Sequence, residues 1–146
     1  MRAVVSRVKA AKICIAGKET AIIGCGVLVY LGFCKSDDEM LLKKMAQKII
    51  NLRVFEDDRA KMSLSVKDMD LEILCVPNFT LGADINNGNR PSFDPVMDPK
   101  RAREFYDSFI QEISLSGLKV LTGVFGADMD ISSENAGPVN IVIDIK

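Results

Sequence analysis

The sequence predicts a mixed α/β domain, strand-rich and three-layered, with mixed β-sheets and two α-helices packed on one side. Three observations predict it. Short apolar runs separated by glycine and proline turns dominate the chain, the pattern of strands. Apolar residues recur at helical spacing in only two stretches. Each of these stretches lies between strands and can serve as a crossover, whereas the short turns elsewhere require antiparallel pairs. The chain has 146 residues, the size of one domain, and no linker, repeat or low-complexity segment divides residues 1–146.

The elements follow in order. Residues 3–9 alternate, with Val4, Ser6 and Val8 on one face and Ala3, Val5 and Arg7 on the other, and residues 12–16 make a second strand. Gly17-Lys18 turns into a strand over 20–23, and Gly24-Cys25-Gly26 turns into 27–33, whose continuous apolar run suits burial on both faces. Ser36 and Glu39 fit a capping box, with Ser36 as N-cap. The helix behind it carries Leu42, Met45, Ile49 and Leu52 on one stripe. Strands over 53–55 and 62–66 flank an acidic turn. A further strand over 71–76 stops at Pro77, which has no N–H for a ladder. Residues 82–96 read as a long loop, a type of segment that is often functional. Asp98-Pro99 opens a second helix that buries Ala102, Phe105, Phe109 and Ile113 and ends at Gly117. Strands over 118–123, 129–133 and 139–145 finish the chain, with Gly137-Pro138 in the last connection.

Composition removes whole classes of chemistry. Lysine and arginine total 19 against 20 aspartates and glutamates, so a net charge of −1 supplies no general basic field for duplex nucleic acid. There is no histidine, which excludes Ser-His and Cys-His nucleophiles, imidazole bases and histidine-containing metal sites. Cys14, Cys25, Cys34 and Cys75 form no Cys-x-x-Cys pair and read as reduced, small core residues of a cytoplasmic protein. The acidic residues are scattered among turns and strands rather than gathered as metal ligands. The uncharged stretch 21–34 is too short to span a bilayer and is broken by Gly24, Gly26 and Gly32. Five cations precede Glu19, yet the strand alternation there argues against a transit peptide. Membrane and export readings are set aside.

Several segments carry candidate chemistry. Pro77-Asn78-Phe79-Thr80-Leu81 follows a buried strand, where a sheet presents residues to a cleft. Thr80 is a possible nucleophile, and Asn78 or a backbone N–H a possible oxyanion donor. The plainer alternative is a turn satisfied by Asn and Thr, since no base for Thr80 is evident. Gly137-Pro138 can be a cis bond or an ordinary trans turn. Residues 88–93 combine Arg90 with Phe93 on a constrained backbone, enough to meet a phosphate and a base, or else simply a loop with Phe93 folded inward. Phe125 and Met129 can clasp a nucleobase or pack as core.

Six segments in order resemble the D-aminoacyl-tRNA deacylase family, nearly end to end. They are residues 1–8, Asn51-Leu52-Arg53-Val54-Phe55, Asn78-Phe79-Thr80-Leu81, Arg90-Pro91-Ser92-Phe93, residues 122–127, and Asn135-Ala136-Gly137-Pro138-Val139. The resemblance implies a cytoplasmic homodimer, with active sites at the subunit interface and no cofactor or metal. Its implied reaction is hydrolysis of the ester between tRNA and a D-amino acid or glycine. Gly137 and Pro138 fall on a Gly-cis-Pro motif that each subunit inserts into its partner's site, excluding an L side chain sterically. Asn78, Phe79 and Thr80 fall on the catalytic stretch, where backbone N–H groups position the ester and the tRNA's 2′-hydroxyl assists a water. Phe125 and Met129 fall on the pocket for the 3′-terminal adenosine, with Pro77 and Arg90 on the substrate side. Two positions depart from the family pattern. Pro77-Asn78 stands where Ser-Gln is usual, although a related animal branch has Pro-Gln, and Asn140 replaces a threonine. These departures motivate two alternatives, a deacylase of altered amino-acid specificity and a catalytically weak acceptor-end binding module.

Overall fold

The computed structural model describes residues 1–86 and 88–146. Its first strand, β1 (Arg2–Ile15), is continuous where the alternation predicts two. The cause is the last strand. β8 (Asp130–Asp144) pairs antiparallel along nearly all of β1, and it too replaces two expected strands, carrying Gly137-Pro138 within itself. A proline is tolerated there because β8 pairs only β1 and so forms an edge.

β2 (Lys18–Ile23) and β3 (Gly26–Gly32) pair antiparallel with the far and near halves of β1 respectively. From β3 the chain passes through α1 (Glu39–Ile50) and the small hairpin β4 (Arg53–Glu56) and β5 (Met62–Ser65). It returns as β6 (Glu72–Pro77), parallel to β3. α2 (Pro99–Ser114) then crosses to β7 (Val120–Thr122), parallel to β6. The sheet order is thus β2-β1-β3-β6-β7 with β8 on the other side of β1, the mixed sheet with helical crossovers that the sequence predicts.

Two apolar clusters lie on the two faces. Val27, Val29 and Leu31 of β3 and Ile73 and Cys75 of β6 face the helices, while Leu28, Leu74 and Val76 face the other way. β1 changes phase. Ala3 and Val5 join the helix-side cluster, but Ala11 and Ile13, also odd-numbered, join the second. The β1–β8 register shifts between Val8 and Ala10, and such an irregularity bends a strand and redirects its side chains. The bent sheet curls until β2 packs against β6 and β7, so the third layer is the sheet's own far end. Phe109, Ile113 and Met45 are completely shielded between helices and sheet, and truncating such an aromatic costs about 3–5 kcal/mol.

The cap of α1 differs from expectation. Asp38, not Ser36, accepts the Leu41 N–H at 3.1 Å, and Glu39 is the first helical residue. The preceding turn is drawn inward by Asp37, whose buried carboxylate accepts the Cys34 N–H at 2.7 Å and pairs with the Met1 ammonium at 2.6 Å. The Asp98 cap with Pro99 behind it is as the sequence predicts. Of the four free cysteines only Cys75 is buried, and Cys25 is exposed at its glycine turn.

Candidate active site

β6 ends at Pro77, and the chain immediately tightens into a single 3₁₀ turn, Phe79–Gly82. Asn78 caps it. Its Oδ1 accepts both the Thr80 N–H at 3.1 Å and the Thr80 hydroxyl. Because a backbone N–H can only donate, the amide oxygen must face Thr80 and the amide nitrogen must face away. The Asn78 N–H continues the sheet by donating to the Leu31 carbonyl at 2.8 Å. Among the described residues the Phe79 N–H has no acceptor, as expected at the head of a helical turn, and is available to an incoming oxygen.

The turn is seated tightly. A Cβ on Gly32 would lie 2.7 Å from the Asn78 carbonyl oxygen and 2.9 Å from Leu81 Cβ. Arg2 ties the far end down, donating to the Leu81 carbonyl at 2.9 Å and to Asp144 of β8 at 3.3 Å. Among the described residues no carboxylate or amine is hydrogen-bonded to Thr80, whose hydroxyl donates to a neutral amide oxygen. Two buried groups behind the turn are held neutral. Burial pushes the Cys75 thiol up to about 12, and burial also raises the phenol of Tyr106, which donates to the Cys75 carbonyl at 3.0 Å. The turn therefore offers donors and shape rather than a nucleophile.

The other expected residues divide into three groups. Pro77 and Met129 converge over Gly123, where an added Cβ would meet Met129 Sδ at 2.8 Å and Pro77 Cδ at 3.2 Å. Phe125 instead packs on the helix side, with its ring 6.2 Å from Tyr106 and the Arg103 guanidinium 5.9 Å above it. Phe125 and Met129 thus belong to clusters on opposite faces of the sheet. Phe125 shares a groove of about 590 Å³ with Phe79 and Phe93, which pack edge to face at 5.1 Å. Phe93 is not folded into the core but 44% exposed. Arg90 is exposed and is not among the side chains lining that groove.

Gly137 and Pro138 lie elsewhere. Their peptide bond is cis, and both residues are exposed on β8. They sit near Arg7 of β1, whereas the Phe79 turn sits near Arg2. Five residues of strand separate those levels by about 17 Å. Sequence reasoning missed how Arg7 holds this segment, donating to the Ala136 carbonyl at 3.1 Å and the Val54 carbonyl at 2.7 Å, with Glu56 at 3.7 Å. It also missed Arg2 and Gly32. Their only sequence signal is a cation, or a glycine, inside an otherwise apolar strand.

A helix-crossed mixed sheet that exposes backbone donors at the end of a buried strand frames the candidate site. The family model for D-Tyr-tRNA(Tyr) deacylase matches residues 4–144. This chain belongs to that family, and its members are hydrolases. It is 50% identical over 144 residues to a D-aminoacyl-tRNA deacylase of Aquifex aeolicus, covering 99% of this chain and 97% of that one. It is 46% identical to a D-aminoacyl-tRNA deacylase of Lactobacillus acidophilus, over 99% of this chain and all (100%) of the relative. Among solved structures, one described as c-Myc DNA Unwinding Element Binding Protein superimposes with a TM-score of 0.95 at 40% identity, covering 100% of this chain and 99% of the other.

Proposed function

We propose that the protein hydrolyses the ester joining a D-amino acid, or glycine, to the 3′-terminal adenosine of tRNA, releasing both. The family match over residues 4–144 carries this reading. The site chemistry supports it. An aminoacyl ester is already activated, so holding it correctly and stabilising its oxyanion can suffice without a protein nucleophile. Water adds to the ester carbonyl, assisted by the neighbouring ribose 2′-hydroxyl. The bond to the ribose oxygen then breaks, and that oxygen takes the proton. The Phe79 N–H and the outward amide of Asn78 are the donors suited to the carbonyl oxygen. Phe125 contributes an apolar wall for the adenosine beside the Phe79 turn, whereas Met129, with Pro77 over Gly123 on the other face of the sheet, does not share that wall; Arg90 lies on the approach of the strand.

The assembly we propose is a homodimer in the cytoplasm. β8 offers a long edge with Val142 at 72% exposure, and an exposed edge strand is a template for a second chain. Gly137 and Pro138 project from this edge and would enter the partner's site, where they leave no room for an L side chain. The −1 net charge gives no support to carrying over the DNA-binding description of the structural neighbour.

A panel of D-tyrosyl-, L-tyrosyl- and glycyl-tRNA tests the reading. The D-tyrosyl and glycyl esters should be cleaved faster than the L-tyrosyl ester. Cleavage of neither would refute hydrolysis, and saturable binding without turnover would establish the acceptor-end binding module instead. Cleavage centred on an L-ester would establish the altered specificity that Pro77-Asn78 motivates.

A further inference from the structure

We propose that the buried carboxylate of Asp37 makes the protein sensitive to the chemical state of the Met1 α-amine. A free amine holds the start of β1 and, through Arg2, the candidate catalytic turn; an acyl group on Met1 releases both. The effect on turnover rests on the deacylase reading, whereas the anchor itself does not.

The anchor is closed on every side. The Met1 ammonium donates to Asp37 Oδ1 at 2.6 Å and to the Ile145 carbonyl at 2.9 Å. The Ile145 N–H returns a bond to the Met1 carbonyl at 3.0 Å. Neither side chain reaches solvent, Met1 being 0% and Asp37 2% exposed. Asp37 Oδ2 accepts the Cys34 N–H at 2.7 Å, and the Asp37 carbonyl accepts the Arg101 guanidinium at 3.1 Å. The carboxylate is therefore fixed by its own turn and by α2, and Met1 is the one cation paired with it among the described residues. An acyl amide there is neutral, keeps a lone N–H and brings extra atoms into a shielded place. It leaves a buried charge without a counter-charge, the costly way to break such a pair.

The next residue carries the effect to the site. Arg2 donates to the Leu81 carbonyl at 2.9 Å and to Asp144 at 3.3 Å. Its backbone lies opposite Gly32 of β3, the residue on which the Asn78 carbonyl is seated. A strand end that is not tied down frays. Fraying here frees the far end of the Phe79 turn, and small misplacements of a positioned donor lower turnover steeply. A chain begun with N-formylmethionine must then be deformylated before this anchor closes, water cleaving the amide to formate and the free amine.

Cell-free synthesis with and without a deformylase supplies the free and formylated chains. The formyl group should lower the melting midpoint by about 10 °C, the scale of a broken buried ion pair. At a temperature where both chains are folded, it should lower kcat for D-tyrosyl-tRNA about tenfold while KM stays within about twofold. Asp37→Asn removes the stranded charge, so formylation should cost that variant much less of its midpoint. In Arg2→Ala the formyl group should still lower the midpoint but should take no further kcat. If the formylated native sequence does not fold, recovery of folding in formylated Asp37→Asn supports the anchor, and that background then carries the Arg2→Ala comparison. Equal midpoints for free and formylated chains, or an equal loss in Asp37→Asn, overturn the anchor. A kcat loss as large in Arg2→Ala as in the native sequence overturns the route to the turn. If the free chain does not hydrolyse D-tyrosyl-tRNA, the deacylase reading falls and the effect on turnover with it, while the midpoints still decide the anchor.

Discussion

At the residue scale, Thr80 is held inside its own turn. Its hydroxyl and N–H both donate to Asn78 Oδ1, so the side chain braces a turn and is not poised to attack. Thr80→Ala should therefore lower kcat/KM for D-tyrosyl-tRNA by less than about tenfold, against the roughly million-fold loss on removing a covalent nucleophile. A loss on that larger scale would restore the nucleophile. The absence of histidine has a companion consequence: the pH–rate profile should show no inflection near an ordinary imidazole value of about 6.5. The Asn78-Phe79-Thr80 stretch was legible in the sequence because its residue types are suggestive in themselves. Which partner each hydroxyl and N–H chooses was not, because that depends on distances set by β3 and β6.

At the scale of elements, the 3₁₀ turn takes its position from the strand beneath it. Gly32→Ala would bring a methyl within 2.7 Å of the Asn78 carbonyl oxygen and 2.9 Å of Leu81 Cβ. Both neighbours are backbone or rigidly attached, so the turn must move. We expect a stability loss of about 1–3 kcal/mol. Displacing the donors should also lower kcat roughly 100-fold in protein that remains folded by circular dichroism. At the opposite end of the sheet, Glu72 joins β6 to two neighbours, pairing with Lys119 and accepting the Gly24 N–H at 2.6 Å. The bond from Lys119, then that from Gly24, holds its carboxyl below the ordinary value. A group lowered in the folded state stabilises above its unfolded pKa, about 4.3, and that contribution is lost as pH falls through the folded value. Urea midpoints measured down through this range should fall less steeply for Glu72→Gln than for the native chain. Equal slopes would show that the pairing contributes nothing to acid stability.

For the whole molecule, the curled sheet and the exposed β8 edge decide what is left to bind. Pairing of two β8 edges would cover Val142 and bring Gly137 and Pro138 to a neighbour's site, about 17 Å from the level of their own. Light scattering should then report twice the chain mass of 16.0 kDa. Val142→Asp, which buries an unpaired charge in such an interface, should give monomers with reduced deacylation. A monomeric native protein with full activity would remove the shared site. Among the described residues no helix is long and apolar enough to cross a membrane.

By itself the sequence determined the mixed α/β class, the two helical crossovers and the apolar faces of the strands. These follow from periodicities of 2 and 3.6 residues that are local properties of the chain. It also determined the family, because motif order survives without any knowledge of contacts. Tertiary structure alone decided that the first two expected strands and the last two are each one strand, since long-range pairing of β1 with β8 outweighs the local breaks. It alone decided that Asp38 displaces Ser36 as cap, through the buried demands of Asp37. It alone divided Phe125 from Met129 and gathered Phe125, Phe79 and Phe93 around one groove. The reason is common to all three: which residues meet across a sheet depends on register and curvature, and neither is written into any short window of the chain.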